Sequence, residues 1–600
     1  MDNTKRSSFR QARTACPCNA WFAALLGLMA LTGAAFAAPP MPVAAASHSY
    51  IVQAQSAEAA ERAVHAVGGQ LLSRLPLIDA VGADLDAGEV AGLEVTRNVR
   101  VYRNRSVSTA AATSLTSAVN QLVDSYSSSV SLTSGTSPQI VNFLYEPDYS
   151  MLVGADQLHA AGTLGQGVTI AMLDSGLWQS PTDQWDARVL ASVDFIASAN
   201  GDVITGDASG HGTHITSIAA SGQRNIGGDY YGIAPGANVV VARAFNADGS
   251  GSYLDVIKAL NWIVANRQKY KIRVLNLSFG APPQSYYWDD PLNQAVMKAW
   301  QAGIVVVTSA GNEGPLPMTI GVPGNVPYLI TVGALTDNYT PYDGTDDRLA
   351  SFSSTGPTYE GFVKPEVVAP GGHMVATMPS DSYIAQLFGA QMPRYQTLFT
   401  MSGTSQATAV TTGVVALMLQ SDPTLTPNQV KCRLMSAARP AVTTSGVLAY
   451  TVFQQGAGLI NAVSAISSGA TGCANKGLNI AADLAGTTHF GGPANQDANG
   501  NYIVMNMQGS IWGQPVSSDG YTWSRGYTWA QGYTWSQGYT WSKGYTWSKG
   551  YTWSKAATWS KGYTWSNGYT WSKSISWQDG SFTAQGLTQP MSVDPYVSDE

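Results

Sequence analysis

Between residues 138 and 470 short apolar runs alternate with longer amphipathic stretches. Val168–Leu173, Val239–Ala244, Val274–Leu277, Ile304–Thr308 and Leu329–Val332 are the apolar runs, each of strand length. Tyr253–Ala265 and Pro291–Ala302 carry the helical period between them. Buried strands separated by helices predict an α/β domain, a mostly parallel sheet with helices on both faces. A second, smaller pattern precedes it over residues 48–105. Ser49–Gln53 is strand-like, and Ala57–Val67 is helical with Gly68-Gly69 as its stop. Further apolar pieces run to Val99–Tyr102, which predicts a small α+β unit.

The remaining segments lack such patterning. Residues 106–137 are rich in Ser, Thr and Ala and predict a mobile linker. Residues 471–519, with Gly491-Gly492-Pro493 and Asn495–Gly500, predict a second linker. Residues 520–573 form nine hexads on the pattern Gly-Tyr-Thr-Trp-Ser-Xaa, the seventh degenerate as Ala556-Ala557-Thr558-Trp559, and 574–600 form a polar tail. At the other end Lys5, Arg6, Arg10 and Arg13 precede an uncharged apolar run, Trp21–Phe36, whose end carries the small–x–small pattern Ala35-Phe36-Ala37. This is the pattern of a cleaved export signal over residues 1–37. The run is shorter than the ~20 residues of a spanning helix. It predicts a secreted protein, extracellular or periplasmic in transit.

Charge changes the picture little. Only 12% of residues are charged and the net charge is −7, which argues against nucleic acid as a partner. Once the signal is gone, Cys432 and Cys473 are the cysteines left. An oxidising compartment favours a disulfide between them, with two buried thiols as the alternative.

Three sites carry candidate chemistry. Asp174 follows the run Val168–Leu173, at a strand's carboxyl end, where working groups collect in such sheets. Capping a turn is its ordinary alternative. His211 lies between Gly210 and Gly212 at the start of a small-residue helix, with His214 three residues on. A metal site is disfavoured, because no Glu stands between the two and no third ligand is near. Ser405, in Gly403-Thr-Ser-Gln-Ala407, precedes the apolar helix Ala409–Leu419. It reads as an N-cap or as a nucleophile served by unpaired first-turn N–H groups.

Together the three segments resemble the subtilase family of serine proteases. Gly165–Gly176 resembles its Asp block, Gly210–His214 its His block and Gly403–Ala407 its Ser block, in that family's chain order. Gly232–Gly236, Ser351–Gly356 and Lys364–Pro370 add family-typical pieces. The resemblance implies a triad of Asp174, His211 and Ser405, with activity rising as His211 becomes neutral. It implies that Asn312, in Thr308–Gly314, donates to an oxyanion with the Ser405 N–H. It implies that Ser278, Phe279 and Gly280 form one substrate-pairing strand and Gly249, Ser250 and Gly251 the opposite one. A peptide would add between them as a strand. No cofactor is implied for the chemistry; structural calcium is compatible with the family, but no ligands can be assigned. Ala409 stands where the family usually has Pro. An insertion, Thr336–Arg348 or Asp381–Arg394, is expected at the cleft rim. Residues 48–105 resemble an inhibitor-type propeptide, cut off within or just after the linker.

The hexads stand outside the resemblance. An even period puts every Tyr and Trp on one face of an extended chain, with the six cationic residues beside them. A six-residue β-solenoid, a strip that binds polysaccharide or a cell surface, and a flexible tail all fit that pattern.

Overall fold

The computed structural model describes residues 49–109, most of 148–505 and short strand pieces between 511 and 584. The expected export signal, most of the first linker and most of the tail lie outside the described residues. The first unit is a four-stranded antiparallel sheet of β1 (Ser49–Gln53), β2 (Gln70–Leu75), β3 (Ala80–Asp84) and β4 (Arg100–Arg103), ordered β2-β3-β1-β4. Two helices, α1 (Ala57–Val67) and α2 (Ala87–Glu94), cover one face. Ser56 caps α1, and Gly68 closes it with a left-handed φ of 92°. Asp86 and Glu89 form a capping box on α2. Val52, Val64, Val81, Leu85 and Leu93 fill the space between.

The linker expected from Ser106 begins instead with a strand, β5 (Ser106–Thr109). Its four residues have no apolar pattern of their own. They are ordered because their backbone is paired on both sides, as described below.

The second unit is the α/β domain. Its sheet joins β6 (Thr169–Asp174), β7 (Val189–Asp194), β8 (Asp202–Val203), β9 (Asn238–Arg243), β11 (Ile272–Leu277), β13 (Val305–Ser309), β14 (Ile330–Thr336), β15 (Arg348–Leu349) and β16 (Val367–Pro370). The order is β15-β14-β13-β11-β6-β9-β7-β8, with β16 also on β14. All pairs are parallel except the two edge pairs with β8 and β15. Helices α3 (His211–Ala220), α4 (Tyr253–Asn266), α5 (Pro291–Gln301), α6 (Tyr383–Phe388) and α7 (Thr404–Ser421) complete the elements used below. Every residue of α7 from Thr404 to Leu419 is buried. Its hydroxyls tolerate this because Thr408 and Thr411 donate to carbonyls one turn back, at 2.7 and 3.0 Å.

Residues 474–496 are more than a linker. Asp483 accepts from the hydroxyls of Tyr287, at 2.5 Å, and Tyr328, at 3.0 Å, and Gly492 N–H donates to Glu360. These buried polar partners hold a segment whose composition reads as loop. Cys432 and Cys473 are joined as a disulfide, Cα atoms 5.3 Å apart. Among the described hexads, Tyr563–Trp565 pairs antiparallel with Tyr569–Trp571, and Tyr533–Trp535 pairs antiparallel with His489–Gly491. Solenoid rungs would stack in parallel.

Candidate active site

The carboxyl ends of β6, β11 and β13 open onto one edge of the sheet, so the residues after them meet. Asp174 ends β6, Ser278 follows β11, and Asn312 lies three residues past β13. His211 opens α3, and its Nδ1 lies 2.7 Å from Asp174 Oδ1, both side chains fully buried. Ser175 N–H donates to the same oxygen at 2.8 Å. His211 Nε2 is buried and has no hydrogen-bond partner.

The close fit around His211 explains its glycines. Gly210 has φ 94°, and a Cβ there would lie 2.6 Å from Met378 Sδ. A Cβ on Gly212 would meet the Gly176 carbonyl at 2.3 Å. His214 accompanies rather than joins the pair. Its Nε2 lies 3.1 Å from the Phe399 carbonyl, and burial pushes its pKa down to about 3. It is a neutral packing group.

Ser405 is the second residue of α7 and is buried. Its Oγ donates to the Ser278 carbonyl at 3.3 Å. Ser278 Oγ in turn donates to the Ser405 carbonyl at 3.3 Å and accepts from Asn276 at 2.9 Å. Asn312 Oδ1 accepts from Thr404 N–H at 3.0 Å and from Thr404 Oγ1 at 2.9 Å. This fixes which end of the Asn312 amide is oxygen and leaves the NH2 as its donor end. Thus the described geometry pairs Asp174 with His211 and Asn312 with the Ser405 turn.

The candidate peptide-binding strands are β10 (Ser250–Ser252) and β12 (Phe279–Gly280). β5 lies between them, antiparallel to both. Ser108 stands opposite Ser250 and Gly280, and Thr109 opposite Phe279. Gly249 contributes its carbonyl, which accepts from Thr109 N–H at 2.9 Å.

One feature was not read from the sequence. Asp207 accepts from Ser175 Oγ, Ser209 N–H, Thr213 N–H and Thr213 Oγ1 at 2.8–3.1 Å, tying the end of β6 to the start of α3. An Asp four residues before the helix-opening His was the available signal. Of the two expected insertions, Asp381–Arg394 reaches this region. Tyr383 and Ile384 donate to the carbonyls of Ala208 and Ser209. Among the described residues no cluster of three His, Cys, Asp or Glu could hold a metal.

A mostly parallel α/β sheet whose carboxyl edge presents a buried Asp–His pair, a helix-terminal Ser and a peptide-pairing cleft defines a subtilisin-type serine peptidase fold. The subtilase family profile matches residues 165–458. Subtilisin DY of Bacillus licheniformis is 33% identical over 316 residues, covering 52% of this chain and 96% of its own length. Serine protease AprX of Bacillus subtilis (strain 168) is 40% identical over 272 residues, 44% of this chain. The chain spans 60% of that relative's length. Fervidolysin from Fervidobacterium pennivorans, a keratinolytic enzyme related to subtilisin, shares the fold with a TM-score of 0.52 at 22% identity. That match covers 76% of this chain and 64% of fervidolysin. The chain belongs to the subtilase family and carries its serine endopeptidase domain.

Proposed function

We propose that this protein is a secreted endopeptidase, made as a precursor whose residues 49–109 inhibit it, and that it cleaves extended protein segments through an acyl-enzyme on Ser405. The observation that carries the reading is β5. The chain's own backbone is bound as the middle strand of the cleft, and its last described residue, Thr109, faces Phe279, the neighbour of Ser278. A substrate on the same strand would present its next carbonyl to Ser405.

In this reading Ser405 Oγ turns from the Ser278 carbonyl and attacks the peptide carbonyl carbon. Its proton passes to His211 Nε2, the buried nitrogen that has no other partner. Asp174 holds Nδ1–H and stabilises the imidazolium. The Asn312 NH2 and the Ser405 N–H receive the developing oxyanion. His211 returns the proton to the departing amine, and water then hydrolyses the ester.

The inhibitory role of residues 49–109 is supported by their contacts on α4 and α5. Leu77 N–H donates to Asn261 at 3.0 Å, Gln53 to Gln294 at 2.7 Å, and Leu254 N–H at the start of α4 to Asn104 at 2.9 Å. A Cβ on Gly82 would lie 2.6 Å from Leu254, so the two surfaces meet backbone to side chain. The hexad array is proposed as a strip for surface or carbohydrate attachment, on its recurring Tyr, Trp and cationic residues. Absence of retention on cell-wall polysaccharide would remove that role.

A fluorophosphonate probe tests the main reading. Labelling of the matured protein and not of Ser405→Ala is expected. An unlabelled parent whose N-terminal unit is confirmed absent would overturn it.

A further inference from the structure

The strand that fills the cleft is preceded by a cation in a built site. Arg105 Nη1 lies 3.2 Å from Asp290 Oδ2, and its Nη2 donates to the Pro282 carbonyl at 2.5 Å. The guanidinium also lies over the Tyr253 ring, 4.8 Å from its centroid. Its backbone carbonyl accepts from Tyr253 N–H at 2.8 Å, which fixes the strand at the same point.

Every other group in this site belongs to the α/β domain. The Asp290 side chain is only 1% exposed, whereas Arg105 is 18% exposed. Asp290 is held in place independently of Arg105. Its Oδ1 accepts from Leu292 and Asn293 N–H at the start of α5, and its Oδ2 accepts from Tyr253 Oη at 2.9 Å. Removal of residues 49–109 would therefore leave the carboxylate, the carbonyl and the aromatic face standing, with the cation gone. Desolvated carboxylates hold guanidinium groups strongly, and an aromatic face adds to the attraction.

We infer that Asp290, Tyr253 and the Pro282 carbonyl form a substrate subsite for a basic side chain, preferring arginine. The register gives its position. Thr109 faces Phe279, a substrate strand continued by one residue in the same antiparallel register would face Ser278, whose carbonyl accepts from Ser405 Oγ, and Arg105 is four residues before Thr109. Counting the acylated residue as the first, the subsite takes the sixth residue on the amino side of the bond cut. The substrates favoured are extended segments with an arginine five residues upstream of the acylated one. This inference rests on the peptidase reading above for its placement.

The test uses matured protein and quenched fluorogenic peptides identical except for Arg, Lys, Ala or Glu at the sixth position. The expected kcat/KM is about tenfold higher for Arg than for Ala, with Glu below Ala. The Arg-to-Ala ratio should fall toward one in Asp290→Asn, which keeps an N-cap side chain, and fall partly in Tyr253→Leu. Equal kcat/KM for the Arg and Ala peptides in the parent would overturn the subsite. If no peptide is turned over, the peptidase reading fails, and fluorescence anisotropy of the same peptides on the same protein decides the subsite separately. Tighter binding of the Arg peptide, lost in Asp290→Asn, would sustain it, and equal binding would refute it.

Discussion

Ser405 Oγ donates to the carbonyl oxygen of Ser278 at 3.3 Å, while the nitrogen expected to receive its proton, Nε2 of His211, stands buried and unpartnered. The hydroxyl is thus held by the residue that immediately precedes β12, the strand that pairs with β5. Asp174→Asn keeps the volume but changes the tautomer that His211 can hold. It should lower kcat by about 10⁴ with little effect on folding. Steady-state kinetics with circular dichroism checks both halves, and kcat within tenfold of the parent would exclude the assigned role.

Asn312 is held by its oxygen through Thr404, so its NH2 is already oriented before substrate binds. Asn312→Ala should lower kcat by about 10²–10³ and leave KM nearly unchanged, because the donor acts mainly on the developing charge. A change confined to KM would move Asn312 from catalysis to binding.

Asp207 receives four hydrogen bonds from groups that flank the Asp174–His211 pair. Asp207→Ala would leave buried donors unsatisfied, at a cost of at least about 2 kcal/mol. The expected result is a lower urea midpoint together with reduced kcat, since the start of α3 carries His211. Unchanged stability would show that water replaces the carboxylate.

Burial pushes the Glu360 carboxyl up to about 7 from an ordinary value of 4.5, against the opposing pull of its hydrogen bond from Tyr287 N–H. The folded chain therefore holds a proton that the unfolded chain releases between those two values. The associated stability is present below about pH 4.5 and is lost as pH rises through about 7, an effect on the order of 3 kcal/mol. Glu360→Gln, compared in a Ser405→Ala background, should be more stable than Glu360 at pH 8, and the difference should vanish near pH 4.5. Parallel urea curves at both pH values would contradict this.

The Cys432–Cys473 disulfide closes a 41-residue separation. By loop entropy it stabilises the fold by about 4 kcal/mol relative to the open chain. Cys432→Ser with Cys473→Ser should lower Tm by several degrees, and reduction of the parent should do the same. An unchanged Tm would make the bond incidental.

The alternation of apolar runs with helical stretches determined the α/β class, because a buried parallel strand must be apolar along its length. Glycines at 210 and 212, a helix-opening His and a Ser before an apolar helix determined which residues to watch, because the backbone there must approach closely. What the sequence left open depended on partners distant in the chain. Ser106–Thr109 has a linker's composition, yet it is a strand because β10 and β12, more than 140 residues away, supply hydrogen-bond partners on both sides. Residues 474–496 likewise read as loop, and are ordered through Asp483, Tyr287, Tyr328 and Glu360. Asp290 looks locally like a helix cap. Only the fold brings Arg105, Tyr253 and Pro282 to it, because charge recognition is decided by which carboxylate is buried and what stands opposite.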